Sequence, residues 1–210
     1  MSNMIVTLTG PSCAGKSTLE GMMRDQLGFE NVISTTTRPK REGDVDGVAY
    51  HFISKSKFER LVSQCGFVEY VDFNGNYYGI SKKEVDRVFA TGKNVVAVVE
   101  PDGMEQIRAY AKVNGIRHFA VFVNNPPKVI ADRFLNRFVK EVAVNMNGNL
   151  AKSIATYSSR LGAMLSTEVS WVRDATLGYD RYDFILANFD EYNQAEVIKA
   201  MSKLQETSTV

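Results

Sequence analysis

Four short stretches of this chain are apolar almost without interruption: Met4-Ile5-Val6-Thr7-Leu8, Asn94-Val95-Val96-Ala97-Val98-Val99, His118-Phe119-Ala120-Val121-Phe122-Val123 and Phe184-Ile185-Leu186-Ala187. Runs of this length, with Gly92 and Pro101 bounding the second, are the pattern of strands buried on both faces. Between them the period lengthens. Leu19, Met22, Met23 and Leu27 recur at helical spacing within Thr18 to Leu27, and helices are also predicted over Ser81 to Thr91, Gly103 to Asn114 and Pro127 to about Val139. Strands alternating with helices predict an α/β fold whose parallel sheet is flanked by helices.

The pattern changes from about Ile33 to Gly79, which is rich in Thr, Tyr, Phe, Gly and charge and carries short alternations such as Tyr50-His51-Phe52-Ile53. This region reads as a small β-rich lobe inserted into the core. Lys140 to Leu150, with Asn145, Asn147, Gly148 and Asn149, is polar and reads as part of a lid. The end, Glu206 to Val210, reads as a frayed tail. The expected organisation is one domain over 1–210, with core segments 1–33, 80–137 and 160–205, a lobe at about 34–79 and a lid at about 138–159.

With 210 residues, 44% of them hydrophobic, the chain can bury a full core. Its 25 Lys and Arg against 24 Asp and Glu leave a net charge of +1, so no overall field draws nucleic acid or an anionic membrane. Neither is expected as a partner, and anion recognition must be local. No stretch approaches the ~20 apolar residues of a membrane span and no leader is legible, so the expected location is cytoplasmic. Cys13 and Cys65 are too few for a disulfide framework and lie outside any Cys-x-x-Cys pair; both read as reduced thiols.

The chemistry starts after the first strand. Gly10-Pro11-Ser12-Cys13-Ala14-Gly15-Lys16-Ser17-Thr18 is a Gly-x4-Gly-Lys-Ser phosphate loop between a strand and an amphipathic helix, the context its mechanism requires. Successive N–H groups and the positive end of the helix dipole would wrap the phosphates of a nucleoside triphosphate. Lys16 would reach the β- and γ-phosphates, and Ser17 would ligate Mg²⁺.

Ser34-Thr35-Thr36-Thr37-Arg38-Pro39-Lys40-Arg41 sets two arginines three residues apart, and guanidinium forks suit bidentate phosphate recognition. Downstream come Gly47-Val48-Ala49-Tyr50-His51-Phe52, then Phe67-Val68-Glu69, then Tyr77-Tyr78-Gly79. In this order, and over nearly the whole chain, these segments resemble the guanylate kinase family, with its Ser-x-Thr-Thr-Arg-x-x-Arg, Gly-x-x-Tyr-x-Phe, Phe-x-Glu and Tyr-Tyr-Gly motifs. The resemblance implies a phosphate-loop core with a nucleoside monophosphate-binding lobe and a helical lid. It implies transfer of phosphate from ATP to GMP or dGMP, with Mg²⁺ accompanying ATP, and a monomer or homodimer. Arg38, Arg41, Tyr50 and Tyr78 would hold the acceptor's phosphate, while Ser34 and Glu69 face its base. A carboxylate accepting two N–H bonds suits N1–H and the 2-amino group of guanine. Arg133 and Arg137, at i and i+4 of a predicted helix, and Arg160 would neutralise the transferring group from the lid. Tyr182-Asp183-Phe184-Ile185-Leu186-Ala187-Asn188 resembles the family's last strand, with Asn188 near the adenine.

Four departures from the family pattern concern the base, metal and lid. Ile80 stands where Thr or Ser usually bonds guanine, leaving Ser81 as the substitute. The usual Asp-x-Asp-x-Gln-Gly becomes Val98-Val99-Glu100-Pro101-Asp102-Gly103, with Glu100 left to bind a water on Mg²⁺. The segment from Arg137 to Arg160 is about a dozen residues longer than usual. The acid expected seven residues after Arg160 is absent, because Thr167 is there and Glu168 lies one beyond. Ile80 and Val98 leave open an acceptor other than GMP, such as another (deoxy)nucleoside monophosphate or a ribose bisphosphate. A non-catalytic binding module of the same fold is opposed by the intact Gly15-Lys16-Ser17.

Overall fold

The computed structural model describes residues 3–41, 43–73, 75–145, 150–177, 181–187, 189 and 193–206. Asn188, Asn147 to Asn149 of the expected lid, and the tail 207–210 lie outside this set. The order is β1 (Met4–Thr9), α1 (Lys16–Leu27), β2 (Glu30–Asn31), β3 (Thr35–Thr36), β4 (His51–Phe52), α2 (Lys55–Ser63), β5 (Phe67–Phe73), β6 (Asn76–Ser81) and α3 (Lys82–Phe89). It continues with β7 (Val95–Val98), α4 (Pro101–Val113), β8 (Arg117–Val123), α5 (Pro127–Asn145), α6 (Leu150–Ala163), a π turn (Met164–Glu168), α7 (Val169–Leu177), β9 (Phe184–Leu186) and α8 (Gln194–Glu206).

Every residue of β1 is buried, which is why its sequence is continuous rather than alternating. It forms the centre of a five-stranded parallel sheet ordered β2-β7-β1-β8-β9, with Leu8 beside Val98 on one flank and Val121 on the other. One face packs Met4, Val6 and Leu8 against Leu19 and Met23 of α1 and Val197, Ile198 and Met201 of α8. On the other, Ile5, Val95 and Ala97 meet Val85 and Val88 of α3, while Ala120 and Phe122 meet Met104 of α4, Ala175 of α7 and Tyr182. The strand order reverses on the two sides of β1, and in such sheets ligands bind beyond the carboxyl ends of the strands around that point. The phosphate loop follows β1, Glu100 follows β7, and Asn125 follows β8.

The inserted region forms a second, four-stranded sheet ordered β4-β3-β6-β5. It also contains α2, which the alternating pattern did not predict. Ser54 caps this helix by accepting from the Lys57 N–H, and its one buried residue, Phe58, stacks on Phe67 and Tyr77. The lid differs from expectation too. α5 runs to Asn145 instead of about Val139, and the next helix, Leu150–Ala163, begins inside the segment expected as the lid. Tyr157 of α6 packs edge-on or tilted against Phe134 and Phe138 of α5, which closes the pair.

Candidate active site

The phosphate loop leaves β1 at Gly10, where φ is +136° and a Cβ would lie 2.0 Å from the carbonyl oxygen of Val123. Only glycine lets the loop root pass so close to β8. At Gly15, φ is +104° and α1 begins with the next residue. Lys16 Nζ donates to the carbonyls of Gly10 (2.7 Å) and Pro11 (2.8 Å), so the ammonium folds back along its own loop. Burial lowers its pKa, while the charges of Glu168 and Glu100 act in the opposite sense.

Ser12, Cys13, Gly15, Lys16, Ser17 and Thr18 line a cavity of about 950 Å³ together with Arg133, Arg137, Lys140, Phe189 and Gln194. Ala14 is buried beneath it, and Gly10 and Pro11 contribute carbonyls to Lys16 rather than lining the cavity. Arg133 reaches three backbone carbonyls, those of Cys13 and Ala14 (3.3 Å each) and Phe189 (3.0 Å), and so ties α5 to the loop. Asn125 makes a parallel tie, donating to the carbonyls of Ala14 and Phe189.

A second cavity, about 520 Å³, lies between the lobe and the carboxyl end of β7. Ser34, Arg38, Arg41, Tyr50, Glu69 and Tyr78 all line it, with Val71, Val98, Val99, Glu100 and Gly103. Arg38 is held by a 2.9 Å ion pair with Asp44, while its guanidinium lies 5.5 Å from the centre of the Tyr50 ring. Tyr50 meets Tyr78 edge-on. Asp44 also accepts from the Arg41 N–H, so one carboxylate organises both arginines, a role that sequence reasoning missed.

Glu69 is reached through a bulge. Phe67 pairs with Ser81 but Glu69 pairs with Ile80, and the extra residue on β5 leaves Val68 in the core while Glu69 lines the cavity. Its Oε1 accepts the Ile80 N–H at 2.9 Å, and its Oε2 lies where a Cβ on Gly103 would come within 3.0 Å. Burial pushes its carboxyl up to about 7, helped by the nearby charge of Glu100 and opposed by the bond from Ile80. The Ile80 side chain is 2% exposed and packs with Val85, Val88 and Val95, so this position serves the site through its backbone alone.

Ser81 is a correction. It does not line the acceptor cavity, because its hydroxyl caps α3 by accepting from the Glu84 N–H. Ser81-Lys82-Lys83-Glu84 is a Ser-x-x-Glu capping sequence, so this role was legible.

A third cavity, about 740 Å³, joins the other two: Ser12 belongs to the donor side, Arg41 and Glu100 to the acceptor side, and Arg160, Glu168 and Trp171 complete its wall. Arg137 and Arg160 both line a smaller recess beside Ser12 and Cys13. The arrangement is two cavities lined by cationic and hydrogen-bond-donating groups, connected by a third that Arg41 and Arg160 line. The guanylate kinase family model matches residues 2–168 of the sequence. The chain belongs to the guanylate kinase family.

Among its relatives, the guanylate kinase of Francisella tularensis subsp. holarctica (strain LVS) is 32% identical over 93% of this chain and 93% of its own length. That of Symbiobacterium thermophilum is 27% identical over 99% of this chain and 88% of its own. The crystal structure of guanylate kinase from Anaplasma phagocytophilum shares the fold, with a TM-score of 0.61 at 19% identity, covering 99% of this chain and 88% of that one.

Within this guanylate kinase framework, Glu100 is the N-cap of α4, followed by Pro101 in the first turn, and its side chain makes no capping bond. The carboxylate is therefore available to the cavities it lines. Burial raises its pKa, as do Asp102 and Glu168, while Lys16 lowers it. Glu168, absent from the sequence-derived site, accepts from both the N–H and the hydroxyl of Ser12 at 2.7 Å each. No described helix is long and apolar enough to cross a membrane.

Proposed function

We propose that this chain transfers the γ-phosphoryl group of ATP to GMP or dGMP, forming ADP and the nucleoside diphosphate. The observation that carries the reading is the acceptor cavity, which combines a buried carboxylate with two arginines and two phenols and communicates with the phosphate loop. Glu69 would accept N1–H and the 2-amino group of guanine, with Ser34 beside it. Adenine presents no such donor pair. Arg38, Arg41, Tyr50 and Tyr78 would grip the monophosphate, charge-assisted from the arginines and neutral from the phenols.

On the donor side, the N–H groups at the start of α1 would cradle ATP phosphates while Lys16 leaves its two loop carbonyls for the β- and γ-oxygens. Arg137 and Arg160 would neutralise the transferring group between the nucleotides, where positioning and charge stabilisation supply most of the catalysis. Among the described residues no three His, Cys, Asp or Glu could cage a cation. Mg²⁺ commonly binds through one or two protein oxygens together with substrate phosphates, and the Ser17 hydroxyl in the donor cavity and the uncapped Glu100 carboxylate are oxygens of that kind. Ser17 would ligate it directly and Glu100 through water, and the ion would supply charge neutralisation at the phosphates.

The test is a coupled ADP-release assay with Mg²⁺-ATP against GMP, dGMP, AMP, CMP, UMP, dTMP and ribose 1,5-bisphosphate. Turnover confined to GMP and dGMP is expected. Preference for another acceptor would overturn the base-reading role of Glu69, and silence across the panel would overturn the kinase reading.

A further inference from the structure

The contact between Glu168 and Ser12 depends on an interruption in a helix. From Leu150 to Leu177 the chain is helical throughout, but Met164–Glu168 forms a π turn between α6 and α7. Glu168 lies eight residues after Arg160. Eight steps of an α-helix, about 100° each, would rotate Glu168 roughly 80° away from the face of Arg160. A π turn has about 4.4 residues per turn, or roughly 82° per residue, so three α steps and five π steps return it to within about 10° of that face. Arg160 and Glu168 do line the same cavity. The π turn thus absorbs the extra residue that set Glu168 out of place in the sequence.

Resting on the kinase reading above, we propose that Glu168 is a positioning residue for phosphoryl transfer: it pins the phosphate loop through Ser12, and the π turn delivers it there. The carboxylate is 8% exposed and takes both donors of Ser12. It bonds none of the N–H groups of Gly15, Lys16, Ser17 or Thr18, the ones oriented for phosphate at the start of α1. From the opposite root of the lid, Arg133 of α5 donates to the carbonyls of Cys13 and Ala14. Consecutive residues are therefore gripped by a carboxylate where Ser12 offers donors and by a guanidinium where Cys13 and Ala14 offer acceptors. Cys13 between them is held at φ +62°, a conformation that a non-glycine residue adopts only under constraint. The lid is fastened to the loop at both of its roots.

The experiment compares wild type with Glu168→Ala, Glu168→Gln, a deletion of Ser166, and that deletion combined with Glu168→Ala. Binding of a non-hydrolysable Mg²⁺-ATP analogue is read by calorimetry, kcat and KM for GMP by ADP release, and folding by thermal melting. Ser166 is exposed and its hydroxyl bonds only within its own helix turn and to Thr167. Removing it lets an uninterrupted α-helix present the acid seven residues after Arg160. Loss of two hydrogen bonds to a charged group predicts that Glu168→Ala lowers kcat roughly 10- to 100-fold and weakens analogue binding about tenfold, with KM for GMP within about twofold. Glu168→Gln, which keeps an acceptor for Ser12, should fall between. The Ser166 deletion should stay within about threefold of wild type and should lose activity when combined with Glu168→Ala. Tighter analogue binding by Glu168→Ala would overturn the proposal, since the carboxylate would then compete with phosphate. A Ser166 deletion as impaired as Glu168→Ala would overturn the role of the π turn. Analogue binding needs no acceptor, so a failure there is distinguishable from a failure in the acceptor panel.

Discussion

Replacing Glu69 with Gln should make the protein more stable and a worse guanylate kinase, by amounts the burial of the carboxylate sets. Its carboxyl is pushed from 4.5 up to about 7 by burial. Between those two values the native state holds a proton that the unfolded chain releases. Stability therefore falls as pH rises from 4.5 to 7, and the full cost persists above 7. A difference of about 2.5 pKa units corresponds to about 3 kcal/mol. Gln keeps an acceptor for the Ile80 N–H and carries no charge to desolvate. For a domain of this size, 1 kcal/mol moves Tm by roughly 2–4 °C, so the variant should melt roughly 6–12 °C above wild type at pH 8 and at nearly the same temperature at pH 4.5. The assay is a pair of melting curves at half-unit pH steps. Taking the difference cancels the titrating groups that do not interact with Glu69 and leaves Glu69 together with its neighbour Glu100. The same variant offers guanine one acceptor and an unwanted donor, so its KM for GMP should rise about 100-fold or more. In wild type, KM for GMP should rise about tenfold for each pH unit below 7 as the carboxyl protonates. A melting difference that is flat with pH, or a variant less stable than wild type at pH 8, would refute the reasoning.

Lys16→Ala should lower turnover at least 100-fold while the fold persists, because the side chain bonds only loop carbonyls; activity within threefold of wild type would remove the lysine from the mechanism. Gly103→Ala should raise KM for GMP several-fold with little change in melting, since the new Cβ would come within 3.0 Å of Glu69 Oε2, and unchanged kinetics would show that the carboxylate needs no such space. His118 is held down to about 4 by burial and then by Arg108, against Asp183 and Glu105. The unfolded chain gains its proton first, so stability should fall as pH drops from 6.5 to 4, and His118→Gln should flatten that limb of the melting profile. A profile unaltered by the substitution would contradict the assignment.

What the sequence disclosed followed the strength of local signals. The strands β1 and β7 were legible because burial on both faces makes them continuous apolar runs, β8 because its second half is buried, the edge strand β9 as a short apolar run although its Phe184 is exposed, and α1 because a phosphate loop must end in a helix. The helix α2 was hidden because it buries a single side chain, Phe58, within a segment whose Thr, Tyr and Phe suggest strand. The two-residue strands β3 and β4 owe their existence to partners rather than to pattern. In the lid, the polar stretch through Asn145 suggested an early end to α5, but Tyr157 packing on Phe134 and Phe138 sustains the longer helix pair. Ser34, Arg38, Arg41, Tyr50, Glu69 and Tyr78 were identified by motif and are brought to one cavity. Ser81 was assigned by proximity in sequence to Ile80, although its capping role was written three residues on. Glu168 could not be placed by counting, because counting assumes a constant helical period.

The central position of β1 also bears on how the chain comes to be folded during synthesis. Ile5 pairs with Val95 and with His118, residues made 90 and 113 positions later. At about 5–20 residues per second, the first strand waits roughly 6–20 s after its own synthesis before its second neighbour exists. Until β7 is made both edges of this buried strand are open, and one stays open until β8 follows. The phosphate loop that follows it cannot acquire its shape either, since Gly10 is seated against Val123 and Asn125 supports Ala14. The nucleotide site is thus among the last features to form although its residues are among the first made, and a nascent chain shorter than about Asn125 should carry the whole motif without the means to hold a phosphate.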